Sequence, residues 1–241
     1  MNLLAFDTST ELMSVAVQRT VVPAYDTTEA SQIWQHSGPG GAQTSASLIP
    51  TIQRLMAQAA LQFSDLDAIV FGKGPGSFTG LRTACSVAQG LAFGADLKVL
   101  PVDTLLAVAE EARFQQAAAL PTWQVTALLD ARMDEMYAAG YAYLHGQWQQ
   151  VKGYCLLRPQ DLVCEAGCAL AGNVFAAYGT RLVTGLLPRI DAWPSAAALL
   201  RVAPALLAAG GALRAEQALP LYIRDKVAKT TVERAAEKAL G

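Results

Sequence analysis

The spacing of apolar and polar positions changes several times along the chain, and each change predicts an element. Residues 3–6 form a short apolar run ending at Asp7, and residues 13–17 form another after the polar turn Thr8-Ser9-Thr10-Glu11. Together they read as a β-hairpin. A third strand is expected at 31–36, ahead of the loop Gly38-Pro39-Gly40-Gly41. Leu48, Ile49, Ile52, Leu55, Met56 and Ala59 then recur at the helical period, with Ser45 or Ser47 as the cap. Residues 68–71 are a short apolar strand, and residues 72–80 are a loop carrying four glycines and Pro75. Leu81, Ala84, Cys85, Ala88, Leu91 and Ala92 make a second helical stripe, built mainly of small residues. A strand at 98–102 follows, and Asp103 or Thr104 can cap a helix running through Arg113.

Residues 115–122, polar and alanine-rich before Pro121, read as a junction. The opening theme then returns as a strand at 125–129 ending at Asp130, a strand at 136–143, and a third at 148–156 after the turn His145-Gly146. Beyond Leu157 the pattern weakens, leaving a helix at 197–209 and a short extended segment at 220–224. The last seventeen positions, 225–241, are charged and read as a frayed terminal helix. The expected organisation is a lobe at 1–114, a second lobe at 115–224 and a charged tail at 225–241. Three strands, helix, strand, helix, strand, helix is the order of a ribonuclease-H-like lobe. Two such lobes, each with an aspartate ending its first strand, form an α/β fold that resembles the actin, sugar-kinase and Hsp70 superfamily.

Composition narrows the function. Hydrophobic residues make up 53% of the 241 positions and charged residues 16%, which points to extensive burial, including burial against partners. A formal charge of -2 excludes the positive field of a stand-alone nucleic-acid binder, so any RNA contact is local or shared. The N-terminus has no basic run before its apolar stretch and meets Asp7 early, unlike a signal peptide. The alanine-rich stretch near 196–209 is interrupted by Arg201 and Pro204, and no apolar run approaches the roughly 20 residues of a membrane span. A cytosolic protein without membrane contact is expected. Cys85, Cys155, Cys164 and Cys168 form no C-x-x-C pair and read as buried free thiols. With only His36 and His145 in the chain, no metal set can be assembled, and no metal or other cofactor is expected.

The sharpest motif is Gly72-Lys73-Gly74-Pro75-Gly76-Ser77-Phe78-Thr79-Gly80-Leu81-Arg82, a glycine-rich turn leading into a helix. Two readings stand side by side. Free backbone N–H groups at the helix start can hold an anion, with Ser77 or Thr79 as the cap; alternatively the glycines serve a tight connection with positive φ angles. The segment lacks the order of a Walker loop. As a string it closely resembles the signature of the TsaB (YeaZ) family, as does its continuation Ala88-Gln89-Gly90-Leu91-Ala92. Three further segments resemble that family in the same order: residues 4–10, 130–137 and 220–224. The resemblance implies a bacterial non-catalytic protein that pairs with the paralogous catalytic subunit TsaD and the ATPase TsaE. That machinery transfers a threonylcarbamoyl group to the adenosine beside certain tRNA anticodons, so tRNA is met through the complex.

The residues bear on that implication independently. The catalytic paralogue is expected to hold a metal through two histidines four apart on its first helix, whereas residues 44–59 here contain none, and Thr44, followed by Ser45, stands where many relatives keep a histidine followed by a serine or threonine. Asp7, Thr8 and Ser9, with Gly76, Ser77 and Thr79, mark a vestigial or weak nucleotide cleft, since the β-turn lacks the glycine that lets a phosphate approach. Asp130, Arg132 and Glu135 form a polar cluster, read as salt-bridged structure more than chemistry. The working surface is then an interface on the helices at 47–60 and 80–93. Leu48, Thr51, Leu55, Leu81, Ala84, Cys85 and Ala88 are the residues expected to meet the same helices of a partner; the alternative is that all are ordinary core. One surface would serve a homodimer when the chain is alone and a heterodimer with the paralogue. Arg224, Lys226, Lys229 and Arg234 can touch tRNA phosphates or belong to a solvated tail interleaved with Asp225, Glu233 and Glu237. Competing functions are a small-molecule kinase of the actin fold, a metallo-glycoprotease, disfavoured by the missing H-E-x-x-H, and a plain assembly factor.

Overall fold

The computed structural model describes residues 1–21 and 30–224. β1 (Leu3–Asp7) pairs antiparallel with β2 (Leu12–Val21), which pairs with β3 (Ala30–Pro39). Then come α1 (Thr44–Gln58), β4 (Ala68–Gly74), α2 (Phe78–Ala95), β5 (Val99–Asp103) and α3 (Thr104–Gln116). The second half runs β6 (Thr122–Asp130), β7 (Met136–Leu144), β8 (Gln147–Leu157), β9 (Ala169–Gly172), α4 (Phe175–Tyr178), β10 (Arg189–Asp191) and α5 (Ala196–Ala208).

The two sheets have the orders β3-β2-β1-β4-β5 and β10-β9-β6-β7-β8. Read from the hairpin side, each places its third, second, first, fourth and fifth strands in that sequence. The fourth and fifth strands run parallel to their neighbours while the first three form an antiparallel meander. This is the ribonuclease-H-like arrangement, present twice. Beyond residue 157 the short strands β9 and β10 and the single turn α4 are additions to the elements expected from the sequence. The tail expected at 225–241 lies outside the described residues.

β1 is buried along its whole length because both of its faces are covered. Its side chains alternate between two cores. Leu4 and Phe6 point to the cluster under α1 and α2, whereas Leu3 and Ala5 point to a larger cluster with α3 and α5. That second cluster continues through Val125, Ala127, Leu129 and Tyr141 of the other sheet. α5 packs on β1, β2, β4 and β5, while α3 packs on β6, β7, β9 and β10 as well as on β4 and β5. The two sheets therefore share a central helical layer. Glu110, 2% exposed, ties that layer together by accepting from Arg113, Arg201 and the Trp148 indole at 2.9–3.1 Å. Removing it would leave the Arg113 guanidinium partly desolvated and without a carboxylate, while Arg201 would keep only Glu111, at 2.7 Å.

Local signals explain several helix ends. Ser195 caps α5 by accepting from the Ala198 N–H at 3.0 Å. α1 begins at Thr44, so neither Ser45 nor Ser47 is its cap; Gln43 holds that position, and the Ser47 hydroxyl donates to the Gln43 carbonyl at 2.9 Å. The four cysteines are free thiols, Cys85 and Cys168 buried, and burial raises the pKa of each. Among the described residues no helix is long and apolar enough to cross a membrane.

Candidate functional site

Both first strands deliver an aspartate toward the opening between the sheets, and the loops around them decide what each can reach. Asp7 ends β1 with no exposed surface. Its Oδ1 accepts the Ser9 N–H at 2.8 Å and the Ser9 hydroxyl at 2.5 Å, and its Oδ2 accepts the Thr104 hydroxyl at 3.4 Å. Burial dominates, only partly offset by these bonds, and pushes the carboxyl from 3.8 to about 6.

The glycine-rich loop lies flat against this turn. The Ser77 N–H donates to the Ser9 carbonyl at 2.7 Å, and the Thr8 hydroxyl donates to the Gly80 carbonyl at 2.7 Å. A Cβ on Gly76 would sit 2.5 Å from the Ser9 carbonyl oxygen, and one on Gly80 would sit 1.9 Å from that of Thr8. Gly72 makes the same allowance for the carboxylate itself, since a Cβ there would meet Asp7 Oδ2 at 1.8 Å. Of the two readings of the loop, tight packing is the one the contacts match, through close approach more than through positive φ. Ser77 occupies the N-cap position of α2 without a side-chain cap bond, and Thr79 lies exposed in the first turn.

Between the lobes is a cleft of about 350 Å³. Residues 9–11 and 76–78 line one side, residues 130–133 and Tyr137 line the other, and residues 221–224 run along a third. Of the residues expected at a nucleotide cleft, Ser9, Gly76 and Ser77 line it, and Asp7, Thr8 and Thr79 do not. The second aspartate does. Asp130 accepts the Tyr178 hydroxyl at 2.6 Å and the Arg132 N–H at 2.9 Å, and pairs with the Arg132 guanidinium at 3.2 Å. Burial first, then the bond to Asp130, pushes the Tyr178 phenol up. Arg132 also reaches Glu11 across the cleft at 3.5 Å, and Glu135 pairs with Arg224 at 2.6 Å. Arg132, Met133 and Asp134 all have positive φ, at 60°, 55° and 63°, a run that side chains with a Cβ rarely adopt.

The residues expected to meet a partner lie elsewhere than foreseen. Leu48, Thr51, Leu55, Leu81, Ala84, Cys85 and Ala88 are all buried within the first lobe. An amphipathic helix spends its apolar stripe on its own sheet first, and these residues are that stripe. The outward faces of the same helices carry Ile49, Arg54 and Ala57 on α1, and Arg82, Ser86 and Phe93 on α2, with Phe93 84% exposed. His36 sits on β3 and His145 at the β7–β8 turn, on different sheets. Among the described residues no three His, Cys, Asp or Glu side chains converge as a metal site.

The segments 4–10, 72–82, 130–137 and 220–224 supply every residue lining the cleft except Glu11 and Gly41. All four are among the stretches that carry the sequence resemblance. Comparison with known proteins agrees with it. The family model described as "TsaD: tRNA N6-adenosine threonylcarbamoyltransferase" matches residues 25–175. The tRNA threonylcarbamoyladenosine biosynthesis protein TsaB of Haemophilus influenzae is 31% identical over 94% of this chain and 95% of its own length. This chain belongs to the TsaB (YeaZ) family. The TsaB of Escherichia coli is 32% identical over 95% of this chain and 96% of its own. Among solved structures, YeaZ from Pseudomonas aeruginosa superposes with a TM-score of 0.77 at 35% identity, covering 92% of this chain and 99% of that one. For a TsaB-family chain, sequence reasoning missed Phe78, Tyr137, Tyr178 and Tyr222 around the cleft; three of the four stand inside the quoted motifs, whereas Tyr178 had no local signal.

Proposed function

We propose that this chain is a non-catalytic partner and activator of a TsaD-like subunit. The complex they form, with a TsaE-like ATPase, transfers a threonylcarbamoyl group to the adenosine beside the anticodon of tRNA. The observation that carries this reading is the sealing of Asp7. Phosphate-binding members of the superfamily use this aspartate and the following turn, yet here the carboxylate is walled off by Ser9 and Gly72, and the turn is covered by the glycine loop. A carboxylate with no exposed atom cannot touch a ligand in the cleft. α1, which lacks histidine, supports the same reading from the sequence.

If the chain does no chemistry, it acts by docking. The outward faces of α1 and α2, which carry the exposed Ile49 and Phe93, are the surface offered to the paralogue. A related lobe presents an equivalent helix pair, so a homodimer of this chain and the heterodimer compete for one face. A total buried area of roughly 1,600 Å² suffices for stable pairing. tRNA is met through the complex. Arg224 is engaged by Glu135 and is not free for a phosphate, while Lys226, Lys229 and Arg234 lie outside the described residues.

The reading is tested by reconstituting tRNA modification from purified subunits, with and without this chain. Modification should need both subunits, and this chain alone should give none. Phe93→Glu should abolish calorimetric binding to the paralogue without lowering the chain's melting temperature. Modification by this chain unaided would end the proposal, and unchanged binding by Phe93→Glu together with Ile49→Glu would remove the helix face from it.

A further inference from the structure

The stretch from Leu213 to Arg224 divides into two parts held in unlike ways. Leu213 exchanges both backbone hydrogen bonds with Val99 at the edge of the first sheet, at 2.8 and 2.9 Å. Ala215 and Ala218 are buried in the core beside α2, and the Ala218 carbonyl accepts from Gln89 Nε2 at 2.9 Å and from the Cys85 thiol at 3.4 Å. This part is an anchor. Immediately beyond it Leu219 is 70% exposed, and Pro220 has no N–H to contribute.

The chain then touches down again through a handful of contacts. The Leu221 N–H donates to the Lys73 carbonyl at 2.7 Å. Its own carbonyl lies so close to Gly74 that a Cβ there would approach it to 2.6 Å. Tyr222 packs on Phe78 with 5.2 Å between ring centroids, and its hydroxyl accepts from Arg82 Nε at 3.1 Å. The Arg82 guanidinium in turn lies 3.8 Å from the centre of the Phe78 ring. Arg224 crosses to the second lobe and pairs with Glu135. With Tyr222 on Phe78 and Arg82 and Arg224 on Glu135, one Tyr-x-Arg stretch grips both lobes at once.

We propose that residues 221–224 are a releasable catch, seated in a groove that recognises an extended aromatic-x-arginine segment and closing the inter-lobe cleft. The groove consists of the Lys73 carbonyl, the Phe78–Arg82 shelf and Glu135. The catch detaches by local opening at Leu219 and Pro220 while the anchor stays paired to Val99. Ile223 is only partly buried against the shared core, Tyr222 is 44% exposed and residues 221–224 belong to no strand, which places such a segment toward the low end of a protein's opening free energies. Release removes one wall of the cleft and one of its inter-lobe ties together. A partner segment of the same chemistry would compete for the groove. This holds whether or not the helix face docks a paralogue.

Hydrogen exchange on the full-length chain tests the proposal, read at the Leu221 amide with the Leu213 amide as internal reference. In the wild type Leu221 should exchange faster than Leu213. Arg224→Ala and, separately, Glu135→Gln should each speed Leu221 several-fold while Leu213 is unchanged. The swapped pair Arg224→Glu with Glu135→Arg should slow it again, and excess Leu-Tyr-Ile-Arg tetrapeptide should speed it in the wild type. A constant ratio between the two amides across all variants would overturn the proposal, because the strap would then open only with its anchor.

Discussion

Asp7 and Asp130 occupy the same place in two copies of one topology, at the end of the strand that comes first in sequence within its sheet and lies at the sheet's centre. Asp7 has no exposed atom and is held by a serine, a threonine and one backbone amide. Asp130 keeps 13% of its side chain exposed, is paired with Arg132 and faces the cleft. The strands do not make this difference. It comes from what arrives beside them: the loop after β4 lies on the first turn through glycines, whereas after β9 Asn173 accepts the Asp130 N–H at 2.9 Å and the Tyr178 hydroxyl reaches Asp130 and the Glu135 carbonyl at 2.6 and 2.7 Å, leaving Arg132 and Met133 exposed. A repeated fold fixes where a functional group can stand, and the connecting loops decide whether anything can reach it.

The largest expected effect breaks the first turn. Gly80→Ala sets a Cβ against the Thr8 carbonyl, a backbone atom that cannot swing aside, and should cost about 3 kcal/mol or more by urea unfolding. A loss under about 1 kcal/mol would mean that the loop is not pressed onto the turn as described.

Next in size is the charge on Asp7. The folded chain keeps this carboxyl protonated up to about pH 6, whereas the unfolded chain releases the proton near 3.8. The contribution of Asp7 to stability, read as wild type minus Asp7→Asn, should therefore fall as the pH rises from about 4 to about 6 and stay at the lower level above. Asp7→Asn should remove that step and leave the protein more stable at pH 7 by roughly 1–3 kcal/mol. A wild-type-minus-variant difference that rises over the same interval would show that the carboxylate is stabilised where it lies.

The smallest effect belongs to the second turn. Met133, 66% exposed at a φ of 55°, should gain roughly 0.5–1 kcal/mol on replacement by glycine, which adopts that conformation freely. Thermal unfolding of Met133→Gly against wild type checks this, and no gain would mean that Met133 contributes contacts worth its strain.

The contrast between the two turns also marks what was legible in the sequence. The repeated theme of strand, aspartate, polar turn and strand was readable because its period is local, and so were α1 and α2 from their stripes and α3 from its cap residues. β9 and β10 were missed because runs such as Ala-Leu-Ala-Gly and Arg-Ile-Asp are too short to show a period. The inward aim of Leu48, Leu55 and Ala84 was undecidable, since a stripe names a face and only the sheet beneath says which way it turns. The sealing of Asp7 depends on Gly72, 65 positions away, and the grip of Arg224 on Glu135 spans 89 positions. Such pairings are set by topology, which neither spacing nor composition records.

The claim that this chain contributes a surface and no chemistry is tested most directly by reconstituting tRNA threonylcarbamoylation with the paralogous subunit and replacing the wild-type chain by Asp7→Asn. The rate of modification per complex should be unchanged. Loss of modification with binding to the paralogue intact would contradict the account.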